Sequence, residues 1–155
     1  MSGNLDLSVV IPVRDEAAAI PGLADEIDQA LGDAGLRYEV VWVDDGSVDA
    51  SADRLRSLPA PHRLIRLDGN HGQSVALVVG FRAAAAEWIA TLDGDGQNDP
   101  ADLPRQLALV RAHGADCCNG VRINRADAWP RRLAGRVGNR VRAWITGDRG
   151  VTDVG

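Results

Sequence analysis

Short runs of β-branched and apolar residues alternate along this chain with stretches of helical periodicity. Leu7–Val13 is apolar but for Ser8 and carries a proline near its end, which suits a strand buried on both faces. Pro21 fits the first turn of a helix, Leu23, Ile27 and Leu31 then recur at i, i+4, i+8, and Gly35 is a stop. Residues 38–43 read as a second strand. Ser47 or Asp49 can cap a short helix that turns Leu55 and Leu58 inward. Residues 63–67 give a third strand, 73–86 a helix rich in small residues, and 88–92 a fourth strand. Pro100 opens a helix with Leu103, Leu107 and Val110 on one face and Gly114 at its end. Residues 115–121 read as a fifth strand, and Pro130 starts a last helix with Leu133, Val137 and Val141 in register.

Strands and helices alternating at this spacing predict an α/β fold with a mostly parallel sheet. The length of 155 residues suits a single domain, 1–155, rather than two. Ligands of such sheets bind at the carboxyl ends of the strands. The polar clusters fall at those ends: Arg14-Asp15-Glu16 after the first strand, Asp44-Asp45-Gly46-Ser47 after the second, and Asp93-Gly94-Asp95-Gly96-Gln97 after the fourth. Three acidic clusters at one sheet edge repel one another unless a cation or a ligand's donors lie between them.

Charge sharpens this picture. Residues 1–100 hold 17 Asp and Glu against 7 Arg, a balance of −10, whereas residues 101–155 hold 5 Asp against 10 Arg, a balance of +5. The chain has no lysine. A basic last third suggests an anionic partner there, either a phosphate or a membrane surface. The longest apolar run, residues 75–81, is far too short to span a bilayer, and residues 1–6 lack the basic-then-apolar pattern of a signal peptide. Cys117 and Cys118 are adjacent, which disfavours a disulfide between them; they read as small core residues of a reduced, cytoplasmic protein. His113 reads as a surface residue at a helix end, and neither it nor His71 as catalytic.

Asp93-Gly94-Asp95 is the central chemical signal. Two carboxylates two residues apart in a turn can reach one hard cation, and Mg²⁺ or Mn²⁺ prefers oxygen ligands while leaving positions open for phosphate oxygens. The ordinary polar turn is the alternative. An EF-hand loop is excluded, because from Asp93 its glycine would fall at Asn98 and its glutamate at Pro104. No Walker loop, dinucleotide fingerprint or Cys-x-x-Cys occurs. Asp44 and Asp45 suit hydrogen bonds from a base or ribose, or else helix capping, and Glu16 shares that ambiguity.

Taken jointly, these segments resemble the family 2 glycosyltransferases. Ser8-Val9-Val10-Ile11-Pro12-Val13-Arg14-Asp15-Glu16 is similar to their opening strand, and Val43-Asp44-Asp45-Gly46-Ser47-Val48-Asp49 to their Asp-Asp-Gly-Ser element. Asn70-His71-Gly72-Gln73 with Ala76, Gly80 and Ala83 resembles the entry to their third helix. Leu92-Asp93-Gly94-Asp95-Gly96-Gln97-Asn98-Asp99-Pro100 resembles the metal loop of the dolichol-phosphate mannose synthase-like branch, with Gly94 and Gly96 where that branch usually has Ala and Leu. Gly120-Val121-Arg122, Asp127 and the Arg-rich helix resemble the segment after that loop in the same branch.

The resemblance implies a GT-A three-layer sandwich that transfers a sugar from a UDP- or GDP-linked donor to a polyprenyl or dolichyl phosphate, in cell-envelope glycan or lipid modification. It implies a nucleotide pocket of Pro12, Arg14, Glu16, Asp44, Asp45, Gln73, Asp93, Gly94 and Asp95, with Asp44 on the base. It implies a metal held by Asp93, Asp95 and Gln97, and an acceptor phosphate met by Arg122 and by Arg132 or Arg136. Asp93, Asp95 and Arg122 are then the candidate catalytic residues.

A polyprenyl phosphate is largely dianionic at neutral pH, with a second pKa of about 6, so it needs positioning cations rather than a base. In-line attack with inversion is the expected mechanism. Arg132, Arg136 and Arg140 form a basic stripe flanked by Trp129 and Trp144, which suits either peripheral contact with the cytoplasmic face of an inner membrane or a solvated helix face. Relatives continue past residue 155, so the chain is expected to be incomplete at its C-terminus. An open sheet edge then favours pairing into a homo-oligomer. A catalytically inactive nucleotide-sugar-binding or assembly module is the alternative. A phosphatase using Asp-x-Asp is a third, but it wants that pair after the first strand and a lysine elsewhere. No nucleic-acid partner is expected.

Overall fold

In the computed structural model the described residues are 5–120. Four strands, β1 (Leu7–Val13), β2 (Tyr38–Asp44), β3 (His62–Arg66) and β4 (Ile89–Thr91), form one sheet in the order β3-β2-β1-β4. Every ladder is parallel, with Leu7 to Val13 opposite Tyr38 to Asp44, and Ser8 to Val10 opposite Ile89 to Thr91. The connections are α1 (Ile20–Asp33), α2 (Ser51–Ser57) and α3 (Gln73–Ala83), and a 3-10 turn at Pro100–Asp102 leads into α4 (Leu103–His113).

The two faces of the central strands are both apolar, and each is covered. Leu7, Val9, Ile11, Val13, Val40 and Trp42 pack with Leu23, Ile27 and Leu31 of α1, Leu55 of α2, and Leu103, Leu107 and Val110 of α4. Val10, Val41 and Val43 pack with Ala76 of α3. This gives three layers. Ala76 and Gly80 are the buried residues of α3, and a Cβ at Gly80 would lie 2.3 Å from Val10 Cγ1, so the helix sits directly on β1.

A strand apolar on both faces does not specify its own register, because a one-residue slip still buries apolar side chains. Polar pairs supply the missing information. The buried Ser8 hydroxyl donates to Glu39 Oε1 at 2.7 Å. Trp42 Nε1 donates to His62 Nδ1 at 3.0 Å, so His62 Nε2 carries the proton and meets Asp28 Oδ1 at 3.0 Å, which also accepts from the Tyr38 hydroxyl at 2.6 Å. Burial and that bond to Asp28 push the Tyr38 hydroxyl well above the usual phenol range.

Four local expectations are revised. Helix α3 stops at Ala83, not residue 86. Arg63 Nη2 donates to the Ala83 carbonyl, Glu39 Oε1 accepts from the Ala85 amide at 2.6 Å, and Ser8 Oγ accepts from the Ala86 amide at 3.0 Å. Those side chains take the backbone groups that a further helical turn would use. Helix α2 begins at Ser51 with Ala50 as its N-cap; Asp49 Oδ1 accepts from the Ser51 amide, whereas the Ser47 hydroxyl is used elsewhere. Residues 115–120 form no strand, in keeping with Asp116, Asn119 and Gly120, poor strand formers all; residue 121 lies outside the described residues. Cys117 and Cys118 are exposed rather than in the core, since Ala115 is the last residue of that segment to pack against it and residues 116–120 are exposed. Gly35 and Gly114 do end α1 and α4, both left-handed, and the outer edge of β4 is unpaired among the described residues.

Candidate functional site

The chain runs outward from β1 through β2 to β3, then crosses back to place β4 on the other side of β1. The β1/β4 boundary is therefore a topological switch point, where the loops leaving adjacent strands diverge and open a crevice. A cleft of about 510 Å³ lies there, lined by Pro12, Val13, Arg14, Glu16, Asp45, Asn70, Gly72, Gln73, Asp93, Gly94 and Asp95.

Three loops build it. After β1 the chain turns at Asp15, and Arg14 and Glu16 on either side line the cleft. After β2, Asp45 is 4% exposed, and its two oxygens accept from the His71 amide at 2.7 Å and the Gly72 amide at 2.8 Å. That carboxylate holds the turn that starts α3, so Asn70, Gly72 and Gln73 reach the cleft. Gly46 allows this approach: its φ is 73°, and a Cβ there would lie 2.6 Å from the Gly69 carbonyl carbon. After β4, the buried Gly94 presses its backbone against the end of β1, where a Cβ would come within 3.0 Å of the Pro12 carbonyl oxygen. The glycine at 94 thus serves close approach.

Asp93 is braced by two amides. Gln73 Nε2 donates to its Oδ1 and Asn98 Nδ2 to its Oδ2, each at 3.2 Å. Asp95 is exposed, and its Oδ1 accepts from the Gln97 amide at 3.0 Å. Among the described residues, the cleft wall carries four carboxylates, Glu16, Asp45, Asp93 and Asp95, against one guanidinium, Arg14, a formal charge of −3. It carries no thiol or imidazole. Among the described residues no cluster of three or more His, Cys, Asp or Glu side chains is arranged to hold a metal by itself, so protein ligands at Asp93 and Asp95 would leave most of a cation's coordination sphere to a ligand.

Most of the residues expected from sequence meet here: Pro12, Arg14, Glu16, Asp45, Gln73, Asp93, Gly94 and Asp95. Asp44 stands behind the wall. It is fully buried, accepts from the Ser47 amide at 2.9 Å through Oδ1, and faces Arg66 Nε at 3.2 Å through Oδ2. That Arg66 contact is bent too far for a hydrogen bond, leaving the attraction of opposite charges. Gln97 is exposed beside Asp95 and does not line the cleft. Arg122, Arg132 and Arg136 lie outside the described residues. Two polar residues have a larger part than the sequence suggested. Asn70 joins the wall, and Asp15, off the wall, ties two of its loops together. A non-glycine residue between two charged ones at a strand end was the available signal for Asp15.

The sequence matches the Glycosyl transferase family 2 profile over residues 8–147. The chain belongs to that family. It is 36% identical over 138 residues to the undecaprenyl-phosphate 4-deoxy-4-formamido-L-arabinose transferase of Aeromonas hydrophila subsp. hydrophila, covering 86% of this chain and 42% of that protein. It is 37% identical over 145 residues to the transferase of the same name from Serratia proteamaculans, covering 91% and 44%. The chain thus spans less than half the length of these curated relatives.

Several solved structures share its fold. Among them are the mannosyltransferase PcManGT of Pyrobaculum calidifontis in complex with GDP-Man and Mn²⁺ (TM-score 0.61, 23% identity, 70% of this chain and 33% of that one), and S. aureus TarS 1-349 in complex with UDP-GlcNAc (0.64, 21%, 79% and 37%). At such identities the likeness establishes the GT-A fold and no more. Among the described residues no helix is long and apolar enough to cross a membrane.

Proposed function

We propose that this chain is the nucleotide-sugar-binding part of a glycosyltransferase that moves a sugar from a nucleoside diphosphate to a polyprenyl phosphate, in the building or modification of envelope glycans or lipids. One observation carries this reading: Pro12, Arg14, Glu16, Asp45, Gln73 and Asp93-Gly94-Asp95 meet in a single cleft at the switch point of a parallel sheet. The names of the similar transferases supply the acceptor class.

The charge of −3 on the described part of the wall has a consequence. A diphosphate would be repelled from it without a bridging cation, so donor binding should depend on Mg²⁺ or Mn²⁺. The donor set suits such an ion: hard oxygens only, two of them carboxylates two residues apart, with Gln97 beside them. When bound, the ion neutralises charge on the departing diphosphate. The chain's own groups fix the geometry. Gln73 and Asn98 hold Asp93 in place, Asp45 fixes the turn beside it, and Arg14 is the wall's cation for the nucleotide. Asp44, buried beneath Asp45, would act on the base through the turn it braces.

Arg122, with Arg132 or Arg136, is proposed to meet the acceptor phosphate, which attacks the anomeric carbon in line and inverts it without a dedicated base. A product that retains the donor's anomeric configuration would refute that step. With a lipid-borne acceptor, the reaction is proposed to take place at the cytoplasmic face of a membrane.

Calorimetry with UDP, GDP and their sugar conjugates, with and without Mn²⁺, tests the donor site. The expected result is metal-dependent binding of one nucleotide, lost in Asp95→Asn. Metal-independent binding, or binding unchanged in that variant, overturns the metal assignment. Binding without transfer to a polyprenyl phosphate would favour the inactive binding module.

A further inference from the structure

Asp15 is the described non-glycine residue with a left-handed backbone, at a φ of 55°. L-residues avoid this conformation because Cβ meets the following carbonyl, and Asp and Asn tolerate it best after Gly. Backbone strain of this kind persists only where surroundings over-determine it. Five hydrogen bonds do so here, and they run in both directions between the β1–α1 loop and the β2–α2 loop with the first residue of α2.

Asp15 Oδ1 accepts from the Val48 amide at 2.8 Å and the Asp49 amide at 3.3 Å. In return, the amides of Asp15, Glu16 and Ala17 donate to Ser47 Oγ at 2.9 Å, Ser51 Oγ at 2.9 Å and Asp49 Oδ2 at 3.1 Å. The Asp49 carboxyl is held below the usual range by the Ser51 hydroxyl and backbone, so it stays an acceptor at neutral pH. The two loops carry cleft residues from opposite sides: Arg14 and Glu16 flank Asp15, and Asp45 lies two residues before Ser47.

We propose that Asp15 is a positioning residue whose carboxylate clamps the two loops together and thereby sets Arg14 and Glu16 on the nucleotide-facing wall. This rests on the nucleotide-binding reading above. Asp15 has no contact with the donor in this scheme; it acts through its neighbours. A clamp differs from a local bond in one testable way. Losing a local bond frees only the amides of Val48 and Asp49, whereas losing a clamp also frees those of Asp15, Glu16 and Ala17, whose acceptors are other side chains.

The experiment compares the full chain with Asp15→Ala, Asp15→Asn and Asp15→Gly by amide hydrogen exchange and by titration with UDP and GDP in Mn²⁺. Asp15→Ala should speed exchange at all five amides and weaken nucleotide binding by about tenfold, the equivalent of about 1.4 kcal/mol. Asp15→Asn keeps an acceptor oxygen and tolerates the same φ, so it should restore both to within about threefold of wild type. Asp15→Gly relieves the backbone but lacks the acceptor, so it should bind as weakly as Asp15→Ala while unfolding near the wild-type temperature.

Faster exchange confined to Val48 and Asp49 with affinity unchanged would overturn the proposal, as would an Asp15→Asn protein no better than Asp15→Ala. If Asp15→Ala does not fold, the Asn and Gly variants decide between the same outcomes. A wild-type protein that binds neither nucleotide would refute the functional reading instead, and the five-amide pattern would still decide the clamp.

Discussion

Gly80 is where α3 touches the sheet, and Gly80→Ala turns that contact into a measurable overlap. The added Cβ would lie 2.3 Å from Val10 Cγ1 and 3.2 Å from Val43 Cγ2, while ordinary contact begins near 3.4 Å. Val10 cannot step aside. It is fully buried in a central strand, and β-branched side chains have few χ1 alternatives. The helix must lift by about 1 Å, opening space around Ala76. Overpacking of this kind costs up to about 3 kcal/mol. Replacing an interior helical glycine by alanine returns about 1 kcal/mol of helix propensity. The net expectation is a loss of about 2 kcal/mol, or roughly 4–8 °C in Tm for a domain of this size.

Urea and thermal unfolding of wild type, Gly80→Ala, Val10→Ala and the double variant test the cause as well as the size. Val10→Ala alone should cost about 2 kcal/mol through the space it leaves. In the double variant the new methyl meets Val10 Cβ at 3.4 Å, an ordinary contact, and fills part of that space. The two substitutions should therefore be less harmful together than their sum, by at least about 1 kcal/mol. A Gly80→Ala protein as stable as wild type, or strict additivity in the double variant, would refute the close-approach argument.

Two other positions give outcomes of the same kind. Gly46→Ala meets both a positive φ and three backbone atoms of the 69–70 turn, one at 2.6 Å and two at 2.9 Å, so it should destabilise by about 3 kcal/mol in urea unfolding and weaken nucleotide binding through Asn70; a variant within about 0.5 kcal/mol of wild type would show that this turn moves freely. Burial pushes the Glu39 carboxyl up, but the bonds from Arg63, Ser8 and the Ala85 amide outweigh burial and leave it below its ordinary value of 4.5. A depressed folded-state pKa contributes stability that is present above the unfolded value and lost as pH falls through the folded one. Glu39→Gln should therefore be less stable at pH 7 and show a shallower loss between about pH 5 and pH 3 than wild type in pH-resolved thermal melts; parallel curves would exclude Glu39 as a source of the acid sensitivity.

Legibility from sequence differed by the kind of force at work. Leu7–Val13, the i, i+4, i+8 series Leu23, Ile27 and Leu31, and the stops at Gly35 and Gly114 are local signals, and the structure obeys them. The cleft was legible for a related reason: in a parallel sheet every strand's carboxyl end lies at one edge, so acidic clusters after β1, β2 and β4 had to converge. What was hidden depends on partners distant in sequence. The end of α3 at Ala83 is set by Arg63, Glu39 and Ser8, which are 20, 46 and 78 residues from the groups they bind.

The division of labour between Asp44 and Asp45 was hidden for the same reason. Sequence gives two equivalent carboxylates at a strand end, but successive residues leave a strand toward opposite sides. One is therefore buried against Arg66, and the other reaches the cleft. Gly94 obeys this logic at the level of backbone. Permissive φ/ψ is glycine's usual signature, yet its role here is the space it leaves for the Pro12 carbonyl oxygen, which brings the Asp93–Asp95 turn down onto β1. Proximity of that turn to Arg14 and Glu16 is thus decided by an absent methyl group, a determinant that no reading of charge or periodicity could supply.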